Sequence, residues 1–104
     1  MKEELIKRLH FVVYGEDEWR LRVYKKHGEL NVLYDAHGQT VAEAKRTIIN
    51  IINVSRIPFR LNIIHGFHNG TSIKDMLLHE LKSQKVVCRF SPSDNIGKTI
   101  MRVS

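Results

Sequence analysis

The 104-residue sequence predicts an α/β fold of the α+β two-layer sandwich type. Two helices lie on a mixed βαβαββ sheet, and a strand or hairpin is added in front. Two observations predict it. Short runs rich in β-formers alternate with two amphipathic stretches of helical period, and Gly, Pro, Asn and Asp fall between them. A hydrophobic content of 42% over this length supplies one core and one domain.

The run "ELNVLYD" (29–35) is bounded by Gly28 and "AHG" and reads as a strand. In "TVAEAKRTIINIINVSR", Thr40 and Glu43 have the spacing of a capping box. Val41, Ala44, Ile48, Ile51, Ile52 and Ser55 then recur at intervals of three and four, laying one stripe along a helix that Pro58 must end. "RLNIIH" (60–65) is the next strand. "SIKDMLLHELKS" (72–83) is a second helix with Ile73, Met76, Leu77 and Leu81 inward and Ser72 and Asp75 capping its start. "KVVCRF" (85–90) and "KTIMRV" (98–103) close the chain as strands around the turn-rich "SPSDNIG". Upstream, "WRLRVYK" pairs with 29–35 through a turn at "KHGE", and "HFVVY" is a further short strand. Residues 1–28 thus form an extension that adds a strand to a domain at 29–104.

Composition narrows the function. One small core leaves no room for a separate cofactor domain, which argues against a multi-step enzyme with its own cofactor domain. No run approaches the roughly 18 apolar residues of a membrane span, and the charged "MKEELIKRLH" is not a signal peptide, which implies a cytoplasmic protein with no membrane partner. The single cysteine, Cys88, lies in an apolar run and reads as a buried, inert thiol. Residues 1–40 hold seven basic and seven acidic side chains, whereas 41–104 hold ten and four, so the whole net charge of +6 lies downstream of residue 40. One-sided basicity of this kind favours an anionic partner, nucleic acid first.

Strands joined by a helix run parallel, which brings the carboxyl ends of 29–35 and 60–65 to one sheet edge, where open α/β sheets bind ligands. That edge receives Asp35, His37 and Gly38 from one strand and His65 and Gly66 from the other. Gly66, Asn69, Gly70 and Thr71 lead into a helix start that can cradle a phosphate, with Lys74 in its first turn. A plain strand-to-helix loop with a solvated Lys74 fits the same residues. Histidines at a phosphate suit proton transfer in phosphodiester cleavage, so Asp35, His37, His65 and His68 are the candidate catalytic groups, and Lys98 and Arg102 can offset charge. Asp35 alternatively caps a turn. The third "HG" pair, His27-Gly28, reads as turn chemistry at the opposite end. No spacing matches a helix-borne HExxH or a Cys-His framework, so no cofactor is implied, although a divalent metal on Asp35, His37, His65 and His68 is compatible with the residue types.

These residues resemble a known family. "YDAHGQTVAEA" resembles the LDLHG…EA opening of the Smr (small MutS-related) domain, "IIHGFHNGT" its HGxGxG segment, and "NIGKTIMRV" its closing Gly-x-Thr strand, over residues 29–104. The resemblance implies a sandwich similar to the C-terminal domain of a bacterial translation initiation factor, and an endonuclease that cleaves or nicks RNA or DNA. It ties cleavage to Asp35 and His37, and nucleic-acid contact to His65, Gly66 and Gly70. Tyr34 and Ala36 replace leucines, and His68 stands where the family has its middle glycine. There it either obstructs the cradle or supplies another proton-transfer group. The alternative is a nucleic-acid or ribosome-binding module without cleavage.

Overall fold

The computed structural model describes residues 1–66 and 71–104. In chain order it has helix α1 (Lys2–Leu9), a 3-10 turn (Gly15–Arg20), strands β1 (Leu21–Lys26) and β2 (Glu29–Asp35), helix α2 (Val41–Val54) and strand β3 (Phe59–Ile64). Helix α3 (Ser72–Asp75) follows, continued by a π-type turn (Met76–Glu80), and then strands β4 (Val86–Phe90) and β5 (Lys98–Val103). The five strands form one mixed sheet in the order β1-β2-β3-β5-β4, with β2 and β3 parallel and every other pair antiparallel. The predicted βαβαββ sandwich with a hairpin strand in front is the fold observed.

Each element follows from its residues. Thr40 Oγ1 accepts from Glu43 N, and the Glu43 carboxylate accepts from Thr40 N, so α2 starts on the predicted capping box. Ala44, Ile48, Ile51 and Ile52 are buried along it, and extended backbone at Ser55 ends it ahead of Pro58. Val32, Tyr34, Leu61, Ile63 and Met101 meet that stripe from the sheet. The residues alternating with them point to the opposite face, which carries none of the helices. The hairpin between β1 and β2 turns on His27 and Gly28, at φ 53° and 75°, as a two-residue turn of matching twist requires.

Four expectations are corrected. "HFVVY" is no strand: Leu5, Leu9 and Val13 share a spacing of four, so the apolar residues serve a helical face, and Val12 N and Val13 N both donate to Leu9 O at 2.9 Å to close α1. The second helix ends at Glu80 rather than 83, because Leu81 N donates to Met76 O (2.8 Å), which widens the last turn. Arg89 then donates to the Leu77 carbonyl that this widening frees and to the Leu81 carbonyl just past the helix end. Ser72 does not cap the helix; Thr71 is the cap residue, and its hydroxyl donates to the Asp75 carboxylate (2.9 Å). Cys88 is exposed, not buried, because the pairing of β4 with β5 slips between Val86 and Cys88 and sets Cys88 opposite the exposed Arg102. Among the described residues no helix is long and apolar enough to cross a membrane.

Candidate functional site

The parallel pairing of β2 with β3 puts Asp35 beside Ile64, and Ala36 N donates to Ile64 O (2.8 Å) as the strands part. Beyond that point the chain turns sharply through 36–39, where Gln39 N donates to Ala36 O (3.1 Å). Gly38 stands at φ 83°, a conformation in which a side chain is strained, so glycine is required by the turn. The turn folds His37 back on Asp35. Asp35 Oδ1 accepts from His37 N (3.0 Å) and lies 2.7 Å from His37 Nδ1. Asp35 therefore does both things the sequence leaves open: it caps the turn and it orients the imidazole. A carboxylate can only accept, so Nδ1 carries the hydrogen, and Nε2 is left as an acceptor on a side chain 62% exposed.

Two further residues hold this turn, and sequence reasoning misses both. Arg20 Nη1 donates to the carbonyls of Asp35 (3.0 Å) and His37 (2.9 Å), while its Nε donates to Asp17 (3.0 Å). Trp19 lies under the Arg20 guanidinium, 4.6 Å from it to the ring centroid, and meets the His37 ring edge-on at 5.7 Å. With 56% of its surface exposed, Trp19 offers solvent a flat apolar face beside His37. The available signal is the lone tryptophan in "EDEWR", but nothing local shows that it packs on a turn many positions downstream.

From β3 the same edge receives His65 and Gly66, whose backbone N–H groups both donate to Gly97 O, at 2.9 and 3.0 Å. His65 Nδ1 lies 2.8 Å from Gly66 O and Nε2 lies 2.9 Å from Thr99 Oγ1. Since a carbonyl only accepts, Nδ1 bears the hydrogen and Nε2 accepts from the hydroxyl. Burial pushes the His65 pKa below its ordinary value, and nearby Lys74 adds to the effect. Both ring nitrogens are engaged, so the ring braces β3 against β5. Gly66 stands at φ 73°, and a Cβ there would meet nothing within 4 Å. Backbone conformation by itself requires this glycine, since a side chain is strained at positive φ.

The predicted cations separate. Lys98 pairs in register with Ile64 and stands at the Asp35 edge. Arg102 pairs with Arg60 toward the far end of the sheet, where it donates to Glu29 (2.8 Å). It does not join Asp35 and His37. Thr71 and Lys74 sit at the start of α3. His68, Asn69 and Gly70 lie outside the described residues. Among the described residues no group of three or more His, Cys, Asp or Glu side chains converges as metal ligands do.

Comparison with protein-family models, curated proteins and solved structures finds no match to this chain.

Proposed function

We propose that this chain binds nucleic acid and cleaves a phosphodiester bond at the edge where β2 and β3 end. The observation that carries the proposal is the Asp35–His37 pair. A carboxylate 2.7 Å from Nδ1 sets the tautomer that leaves Nε2 as a proton acceptor on an exposed ring, the arrangement a general base needs. His37 Nε2 takes the proton of the attacking hydroxyl or water as its oxygen bonds to phosphorus, the scissile P–O bond breaks, and solvent water protonates the leaving oxygen. Asp35 orients the ring and stabilises the imidazolium that forms. Lys98, at the same edge, and Lys74 offset charge on the phosphate. The excess of basic residues after position 40 and the three segments that resemble the Smr domain support the same reading.

The bonding of His65 favours a second reading. With both ring nitrogens of His65 engaged, His37 is the one open imidazole at the described part of this edge, and a domain that binds without cleaving needs no second proton-transfer group. End-labelled single- and double-stranded RNA and DNA, incubated with the protein with and without EDTA, decide between them. Cleavage is expected, and Asp35→Asn and His37→Ala should each lower its rate by about 10²–10⁴-fold while affinity holds. Binding without product establishes the second reading. Equal loss of affinity in both variants would show that the pair serves binding alone.

A further inference from the structure

The face of the sheet that carries no helices has a composition that the cleavage site does not explain. Strand alternation sends Tyr24 and Lys26 of β1, Asn31 of β2, Arg60 and Asn62 of β3 and Lys98 of β5 to this side, where they line a cleft of about 360 Å³. Its floor is an amide pair. Asn62 Nδ2 donates to Asn31 Oδ1 (3.2 Å) and Asn31 Nδ2 to Glu29 O (3.1 Å), with the two residues 2% and 5% exposed. Two polar residues at the centre of a sheet would be an odd choice for a face with nothing polar to meet.

Arg60 supplies a second observation. Its Nε is the one buried side-chain nitrogen or oxygen among the described residues without a hydrogen-bond partner. Its guanidinium lies 5.9 Å from the centroid of the Phe90 ring, which is 42% exposed. An unpaired buried donor is costly, and since Nε itself is closed to solvent, an acceptor from outside the chain would meet the cleft-lining end of the guanidinium. Glu29, the one acidic side chain lining the cleft, is already engaged by Arg102 at 2.8 Å. Lys26, Arg60 and Lys98 make no ion pair among the described residues, so the cleft is left positive.

We infer that this open face carries a single-stranded segment of the nucleic acid. Arg60, Lys26 and Lys98 neutralise its phosphates, and Tyr24 and Phe90 stack its bases. The inference rests on the nucleic-acid reading above and adds to it the form of the substrate and the path it takes. Cations alone would suit any polyanion. Aromatic rings at two sides of a basic sheet face suit exposed bases, which a duplex hides. Asn31 and Asp35 share strand parity and lie about 13 Å apart along β2, so one strand reaches both the cleft and His37.

Fluorescence anisotropy with labelled eight-nucleotide uridylate, a duplex of equal length and an oligoglutamate peptide tests the inference. The wild-type protein should prefer the single strand. Arg60→Gln should weaken that binding about tenfold and reduce the slope of log affinity against log salt by about 0.7. Tyr24→Leu should weaken it at least fivefold with an unchanged slope. Lys26→Gln, at an exposed position, repeats the slope measurement should Arg60→Gln fail to fold. Single-strand affinity within twofold of wild type in every variant overturns the path and leaves the cleavage site standing. Equal binding of oligoglutamate or of the duplex also overturns it. No binding of any nucleic acid by the wild-type protein overturns this inference and the nucleic-acid reading together.

Discussion

At the scale of single residues, the two histidines that one sheet edge collects are bonded in opposite ways. His37 is exposed and held by one nitrogen; His65 is partly buried and held by both. The bonding of His65 has a consequence for stability. Its folded pKa lies below the ordinary value near 6.5, so the unfolded chain binds a proton more readily than the folded one. Stability from this residue is complete above about 6.5 and is lost as pH falls from there to the lowered folded value, below which the loss is complete. Thermal melting of the protein between pH 8 and pH 5 should therefore show a decline that His65→Gln flattens. Parallel curves for the two proteins would show that His65 is not the group responsible. Spacing places both histidines at the edge, but their division of labour depends on Thr99 and Gly66, and no local pattern announces a hydroxyl 34 residues away.

Among the elements, α2 was legible almost to the residue because its determinants are local. A capping box starts it, a stripe at intervals of three and four sides it, and Pro58 limits it. Thr40→Ala should remove the Oγ1 bond to Glu43 N and lower stability by about 1 kcal/mol, measured by denaturant melting. No change would mean that Glu43 alone secures the helix start. Strands β2, β3 and β5 were legible for the same reason, since runs of β-formers end at turn residues. Helix α1 and the turn of α3 were not. "HFVVY" has strand composition but forms the turn that follows α1, and tertiary burial of Leu5, Leu9 and Val13 overrides propensity there. The widened turn after Asp75 is matched by Arg89, which reaches the carbonyls of Leu77 and Leu81 from β4, a contact no local pattern shows.

For the molecule as a whole, the N-terminal 28 residues are part of the one core. Leu5, Leu9 and Val13 are at most 1% exposed, and Arg20 holds the turn that carries His37. A chain starting at residue 29 would lose these apolar side chains, β1 and the Arg20 clamp at once. It should show no cooperative melting transition, and Leu9→Ala in the full chain should cost about 2–5 kcal/mol. A folded, cooperatively melting 29–104 fragment would contradict this and make the N-terminal segment an accessory.

What the sequence by itself determined are the features set by neighbours along the chain. These are the strand and helix order from β1 onward, the parallel pair that brings Asp35 and His65 to one edge, and the downstream excess of positive charge. Only the tertiary structure decided which groups at that edge stay open and which are consumed as braces. It also decided that Trp19 and Arg20 pack on the His37 turn, that Arg102 lies at the far end of the sheet, and that a basic, aromatic face lies opposite the helices. The physical reason is the range of the interactions. Periodicity and capping act over a few residues, whereas hydrogen bonds between side chains and burial join positions that only the folded sheet brings within 3 Å of one another.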